Sequence, residues 1–289
     1  MTRRQFLIGV APSLILMFAL LTIPLAYTAI WSLQRVEYGS PGQWVGLANY
    51  SAVFRDLQFQ RAVGFSVGFA LINTALLMVL GYGLALLMNR IRRGRAVFLG
   101  ILLLPYVVPA IISATMFSWL FDDNFGGLAN FFIELAGGES VRWFTSTWPN
   151  RGLVLLQSLW AGLPFFMLVF LGALQGVSSE QLEAAIMDGA TWWQRQWHIV
   201  IPALGPMFRF LALISVSNSL GLFDSLIPLS PSAQTVGTQS VSLYTYQTAF
   251  ARDQQNLGLG SAVNVLMLVV LFALVWPIVR RIYQEVKLS

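Results

Sequence analysis

The 289-residue chain has no cysteine, one histidine and one lysine, and only 10% of its residues carry a charge. Without cysteine it forms no disulfide and offers no thiolate, so nothing in it reports on redox compartment. The lone histidine, His198, falls short of the three or four ligands a zinc site needs. It also lacks a nucleophile placed for it to activate, so no catalytic residue is expected, and it reads as a packed or interface histidine. The single lysine, Lys287, follows Val286, so the Gly-Lys-Ser/Thr run of a phosphate-binding loop is absent. No metal and no cofactor bound by this chain are expected. Soluble domains carry about 25% charged residues, so the shortage of charge argues against a water-soluble globule.

What fills the sequence instead is apolar: 57% hydrophobic residues and a mean hydropathy of +0.70. The apolar residues gather in runs, and a bilayer crossing needs roughly 20 residues. Six runs stand out, at about 6–33, 61–89, 96–121, 151–176, 207–229 and 258–279. The expected fold class is an all-α membrane protein with six transmembrane helices, read as a single domain over 1–289.

Basic residues orient these spans, because Lys and Arg concentrate on the cytoplasmic side. One side carries Arg3, Arg4, Arg90, Arg92, Arg93, Arg95, Arg195, Arg209, Arg280, Arg281 and Lys287; the other carries Arg35, Arg55, Arg61, Arg142, Arg151 and Arg252. Both termini are therefore expected in the cytoplasm. Because the charge flanks apolar runs, the basic excess is not a nucleic-acid footprint. "TRRQFLIG" at 2–9 superficially matches a twin-arginine export signal. The apolar run continues to Leu33 with no small-residue cleavage site, so a span is the better reading.

Prolines interrupt the runs at Pro24, Pro105, Pro109, Pro164 and Pro277. Each leaves the carbonyl four residues earlier without its helical donor. In lipid that carbonyl must find a partner in protein or cavity water. The third span, with Pro105 and Pro109, is expected to be doubly kinked and to face protein or a pathway.

Between the fourth and fifth runs lies a polar insert, 177–206. Ser178 and Gln181 have the spacing of a helix cap, Val177 and Leu182 that of a hydrophobic staple, and Glu180 suits the first turn of a helix dipole. A helix is expected to about Met187, a break at Gly189, and a second helix from Thr191, with Gln194 repeating the cap, ending before Pro202. A membrane-surface helix would have a basic polar face. Here the first half is acidic, which points to a protein partner.

"EAAIMDGATWWQRQWHIVIPALGP" (183–206) resembles the cytoplasmic signature loop of binding-protein-dependent ABC importer permeases: Glu-Ala-Ala, then Asp-Gly-Ala, then Ile-x-Leu-Pro. Ile201 stands where the family often has Leu, and Trp197 where Phe is usual. "VGLANY" (45–50), "NTALLMVLGYGLALLMNR" (73–90), "LLPYVVPAIISATMFSWLF" (103–121), "GGLANFF" (126–132), "LFDSLIPLS" (222–230) and "LYTYQTAF…LGLGSAVNVLML" (243–268) extend the resemblance to the maltose-permease-like carbohydrate subgroup, as far as the last span. "SPSAQT" (230–235) departs from it where relatives often carry Thr-Gly-Gly-Gly-Pro. The resemblance implies that Glu183, Ala184, Ala185, Asp188, Gly189, Ala190 and Pro202 couple the spans to an ATPase subunit. It also implies two ATPase subunits using ATP and Mg, a second homologous permease in a heterodimer, and an extracytoplasmic sugar-binding protein. The setting it implies is a bacterial or archaeal cytoplasmic membrane.

Ionisable residues inside a span are costly and mark pathways. Asp224 is the clearest, with Asn218 and Phe223 nearby, and Tyr106 and Trp160 on neighbouring runs offer rings to a sugar. No basic residue falls clearly in the runs, which favours a neutral substrate such as a di- or oligosaccharide or a polyol. Trp44, Tyr50, Trp143 and Trp148 in the outer loops are candidate docking aromatics for the binding protein, or interfacial anchors. An ion-coupled secondary transporter, the alternative, would want several intramembrane carboxylates; an intramembrane hydrolase would want a nucleophile–base pair.

Overall fold

The computed structural model describes residues 3–37, 39–123, 127–251 and 255–288, the side chains of 3–8, 278, 279 and 281–288 excepted. Arg252 and Gly126 of the "GGLANFF" run lie outside the described residues, as do the side chains of Arg3, Arg4, Arg281 and Lys287. In chain order the helices are α1 (Arg3–Ser32), α2 (Ala48–Arg55), α3 (Leu57–Arg90), α4 (Arg95–Val107), α5 (Ala110–Leu120), α6 (Leu128–Leu135), α7 (Thr147–Leu174) and α8 (Ser179–Met187). They continue as α9 (Trp192–Arg195), α10 (Ile201–Ala203), α11 (Gly205–Leu220), α12 (Leu226–Leu229), α13 (Ala233–Val236), α14 (Val241–Tyr246) and α15 (Leu257–Leu288). Among the described residues the strands are one short antiparallel pair, Gln34–Arg35 with Gln43–Trp44.

Four helical stretches are long and apolar enough to cross a membrane: Gly9–Ser32, Leu57–Arg90, Thr147–Leu174 and Leu257–Pro277. Two further candidates are bent pairs, α4 with α5 at 95° and Trp192–Ala203 with α11 at 68°. By length and composition the described residues thus hold four to six spans.

Two of the sequence-based expectations change in detail. The third run is broken once rather than kinked twice. Pro105 sits inside α4, while Val108 (ψ 126°) and Pro109 (ψ 141°) are extended. A residue preceding proline is driven out of the helical region by the ring, so the break falls at Val108 and not at both prolines. The fifth run is helical only to Leu220, where Gly221 caps it, so Phe223 and Asp224 lie in the following turn and not within a span.

By internal packing the chain divides into two compact units, Met1–Gln60 with Leu243–Ser289, and Arg61–Ser242. In the first, α1 lies along α15. Gly258 lets the chain approach closely there, since a Cβ would lie 2.1 Å from the Gln34 carbonyl oxygen. Asn49 donates to the carbonyls of Ser32 and Gln34 at 2.9 and 2.8 Å. The Tyr244 hydroxyl donates to Asp56 at 2.7 Å.

The second unit is built round a core of Leu77, Ala85 and Met88 from α3, Phe166, Met167, Phe170 and Leu171 from α7, and Val200, Leu204 and Leu211 from the α10–α11 region. Gly81 makes the α3–α7 approach possible: a Cβ there would stand 2.6 Å from that of Phe166. Tyr82 sets its ring against Phe170 and Phe208, with centroids 5.6 and 5.7 Å away, and donates its hydroxyl to the buried Gln196 amide oxygen. In the "SPSAQT" stretch, Ser230 and Ala233 are buried and the other four residues exposed. Ser230 and Thr238 both donate to Asn150 Oδ1, at 2.7 and 2.9 Å, and Asn150 donates to the Leu229 carbonyl at 2.8 Å.

Candidate functional site: a capped helical segment and a polar cavity

The segment 177–206 has a local design that explains its shape. Ser178 caps α8 by accepting from the Gln181 N–H. At the other end Gly189 adopts φ +76°. Its N–H donates to the Ile186 carbonyl at 3.0 Å and that of Ala190 to the Ala185 carbonyl at 2.9 Å, the paired bonds of a Schellman C-cap. The Asp-Gly-Ala run is thus a helix stop in which only the middle residue takes the left-handed conformation. One residue on, Thr191 and Gln194 form a reciprocal capping box that starts α9.

Beyond α9 the helix does not end before Pro202, as its sequence predicts. A wide π turn over Gln196–Val200 carries it on, with the Ile201 N–H donating to the Gln196 carbonyl. The widening falls just ahead of Pro202, which has no N–H to offer the preceding turn, so the helix passes the proline with altered pitch. Such π turns recur at functional sites. His198 is exposed, its Nδ1 2.9 Å from the Gln194 carbonyl oxygen of its own helix. Within this chain it is not packed.

The segment is exposed on one side and anchored on the other. Glu183, Ala184, Asp188 and Gly189 are exposed, Ala185 and Ala190 half-buried. Beside them Met187 is 87% exposed and Trp193 65%, apolar surface that a soluble monomer would hide. On the inner side Val177 and Leu182 pack on the core of the second unit. The Arg90 guanidinium lies 5.6 Å from the Trp192 ring centroid, a cation–π distance. Arg195 Nε is buried without a hydrogen-bond partner.

Deeper in the same unit is a cavity of ≈ 600 Å³, within the range that takes small ligands. The α4–α5 break, 105–110, forms one wall; irregular backbone at membrane depth is tolerated where it lines a cavity. Its polar groups are uncharged: Asn73 from α3, Gln157 and Ser158 from α7, and Ser215, Asn218 and Ser219 from α11. Tyr106 and Phe165 add a stacked pair, 5.7 Å between centroids and 16° between planes. Gln157 donates to Ser113 Oγ at 2.8 Å and Asn73 to Ser219 Oγ at 3.2 Å. Asn73 Oδ1 is buried and accepts nothing. An orphaned buried acceptor carries a desolvation penalty of about 1–3 kcal/mol, which a hydroxyl-bearing ligand or a water can relieve.

Of the residues expected to line a pathway, Tyr106 and Asn218 do line this cavity. Trp160 instead sets its ring against Phe117, 5.5 Å between centroids. Asp224 is exposed and Phe223 half-buried in the turn after α11; neither lines it. Asn73, Gln157, Ser215 and Ser219, which do, are missed by a search confined to ionisable groups. Their signal is an uncharged polar side chain inside an apolar run, repeated at Ser215 and Ser219 on one helix face.

Residues 77–287 match the family model described as a binding-protein-dependent transport system inner membrane component. The chain belongs to that family. The matched region takes in the capped segment, most of the cavity wall and the last long helix. Among full-length relatives, the trehalose/maltose transport system permease protein MalF of Thermococcus litoralis is 28% identical over 279 residues, covering 96% of this chain and 93% of that one. The trehalose transport system permease protein SugA of Mycobacterium tuberculosis is 29% identical over 267 residues, covering 92% and 84%. A chain of a bacterial alginate ABC transporter, crystallised with an alginate pentasaccharide-bound periplasmic protein, superimposes with a TM-score of 0.83 over 96% of this chain and 93% of its own, at 21% identity. That chain and this one thus share a fold.

Proposed function

We propose that this chain is a permease subunit of an ATP-driven importer, forming with a second, similar permease the path of a neutral saccharide or polyol across the cytoplasmic membrane of a bacterium or archaeon. On this reading all six candidate spans cross, 1–289 acts as one permease domain, and both termini are cytoplasmic. The side bearing Arg90, Arg92, Arg93, Arg95 and Arg195 is then inside. An extracytoplasmic binding protein delivers the sugar, and two ATPase subunits hydrolyse ATP with Mg.

The observation that carries the reading is continuity of packing between the two parts of the site. Val177 and Leu182 rest on the core cluster, and two members of that cluster, Leu77 and Phe166, are also cavity wall. A push on α8 from an ATPase subunit therefore meets close-packed side chains all the way to the cavity, and interiors packed to that density transmit displacement. Glu183 and Asp188 beside the cap would pair with basic groups of the ATPase, with Met187 and Ile186 seated against apolar ones. Inside the cavity, Asn73, Gln157 and the serines offer donors and acceptors to hydroxyls, and Tyr106 a face to the C–H side of a ring. Trehalose- and maltose-type permeases among the relatives point to the same substrate class.

The test is a reconstitution of the chain with candidate ATPase, second permease and binding protein in liposomes, following ATP hydrolysis while sugars are screened. A sugar-dependent rise that disappears in Gly189→Val is expected. Sugar uptake by the isolated chain without ATP would replace this reading with an ion-coupled carrier.

A further inference from the structure

A second cavity, of ≈ 760 Å³, opens between α3 and α7 within the second unit and shares one wall residue, Phe69, with the polar one. From α3 it takes Arg61, Phe65, Gly68 and Ile72, and from α7 Trp148, Arg151, Gly152 and Leu155. Both sets, with Gly64 and Phe69 completing the first, are residues or adjacent pairs repeating every three to four positions, so each is one helix face, and together they make the two walls of a groove. Its length follows from the helix rise: eleven residues from Arg61 to Ile72 at about 1.5 Å each give about 16 Å. That is close to half of a hydrocarbon core about 30 Å thick, one leaflet. The floor is open, because at Gly64, Gly68 and Gly152 an added Cβ would meet nothing within 4 Å.

The two ends of the groove differ in chemistry. The lower part is apolar; the upper end carries two guanidiniums and no carboxylate. Arg151 is held in place, Nε and Nη2 both donating to the Gly237 carbonyl at 3.2 and 3.0 Å, and its guanidinium lies 5.1 Å from the Trp148 ring centroid. Arg61 is exposed, and among the described residues the ion pair present is Arg35–Glu37, elsewhere in the chain. An indole beside one arginine, with a second arginine lining the same apolar groove, is the arrangement of a headgroup zone.

We propose that this groove binds an anionic phospholipid, its phosphate between Arg61 and Arg151 and one acyl chain lying along the glycine floor. Charge complementarity selects this occupant. A helix of the second permease fits over small residues, but it would have to bring carboxylates to neutralise two guanidiniums at the headgroup end. A lipid phosphate brings the charge at the right end and hydrocarbon for the remainder. Phe69 lines both the groove and the polar cavity, but the test of the groove reads lipid retention and does not depend on transport.

The assembled transporter, extracted in detergent, is supplied with phosphatidylglycerol or phosphatidylcholine, and retained lipid is counted by native mass spectrometry. Preferential retention of phosphatidylglycerol is expected, falling about fivefold in Arg61→Gln, the effect of one basic charge near a membrane surface. In Gly68→Leu, whose side chain occupies the floor, retention of the acyl chain is expected to be lost. Arg61→Gln alters an exposed side chain, so it keeps the test alive if Gly68→Leu accumulates poorly. Three outcomes would overturn the proposal: equal retention of both lipids unaffected by Arg61→Gln, displacement of phosphatidylglycerol by millimolar inorganic phosphate, or release of the second permease by Gly68→Leu with lipid unchanged. The last would make the groove a subunit seat.

Discussion

The capped segment and the polar cavity lie in one compact unit, yet they are specified in opposite ways. Between 177 and 195 the caps and the turn join residues a few positions apart: Ser178 with Gln181, Ala185 with Ala190, Thr191 with Gln194. The cavity is made by pairs far apart in sequence, Asn73 with Ser219 and Gln157 with Ser113. Local devices fix a shape that can be pushed as a body. Long-range pairs fix a space whose walls belong to several helices and shift when those helices do. A transporter needs one of each, and the difference predicts which substitutions disturb motion and which disturb binding.

The largest effect is expected at Gly189. A β-branched residue forced to φ +76° costs on the order of 2 kcal/mol, about a thirtyfold loss of the bent form. Gly189→Val should therefore abolish sugar-stimulated ATP hydrolysis in the reconstituted transporter while the chain still reaches the membrane. Gly189→Asn, which tolerates the left-handed region, should restore most of it. If Asn fails as completely as Val, the glycine is required for contact with the ATPase and not for the turn, and the contrast drawn above loses its local half.

Next comes Gly81, the close approach of α3 to α7, where a Cβ would stand 2.6 Å from that of Phe166. Gly81→Val overpacks this crossing, and such overpacking typically costs about 1–3 kcal/mol. The expected outcome is a several-fold drop in folded protein recovered from membranes, with sugar preference unchanged in what survives. An altered preference at normal yield would mean that the crossing tunes the cavity rather than the fold.

These two glycines also mark how far the sequence could be read. The turn at Gly189 was legible because its partners surround it: a capping Ser, a Gln, an Asp-Gly-Ala stop. Gly81 carried no such signal, since its partner Phe166 lies on another helix and nothing in either neighbourhood names the other. The same division runs through the site. Tyr106 and Asn218 were picked from the apolar runs and do line the cavity, but Asp224 drew attention because it is charged, and Gly221 ends the helix before reaching it. At Asn73 and Gln157 the signal is weak, because an uncharged amide in an apolar run means little until the facing serine is known. Along the chain, run lengths match the four long apolar helices to within a few residues, while the fifth run, to about 229, extends nine residues past its helix end at Leu220. The π turn before Pro202 and the break at Val108 instead depended on how each proline was accommodated.

A smaller effect is expected at Asn73. Asn73→Ala removes both the orphaned acceptor and the bond to Ser219, so one hydrogen bond to the sugar, worth about 1 kcal/mol net, is lost. The half-saturating sugar concentration for stimulated ATP hydrolysis should rise about fivefold, with the basal rate unchanged. Asn73→Asp should do worse with a uronate than with a neutral sugar, because no cation lines the cavity. A wild-type response from Asn73→Ala would remove this amide from the path.

The smallest effect belongs to the capping box. Thr191→Ala loses the side-chain oxygen that accepts from the Gln194 N–H and leaves Gln194 without its hydroxyl partner, at a typical cost of about 1 kcal/mol. Because α9 runs directly into the π turn and α11, fraying its start loosens the register of the segment without emptying the cavity. Thermal unfolding should shift by only a few degrees, and sugar affinity should hold. The amount of ATP hydrolysed per sugar moved should rise, since a softened start to α9 lets part of each stroke go undelivered. Should Thr191→Ala instead weaken sugar binding while leaving that ratio intact, the capped segment and the cavity wall would be one mechanical body rather than a driver and its load.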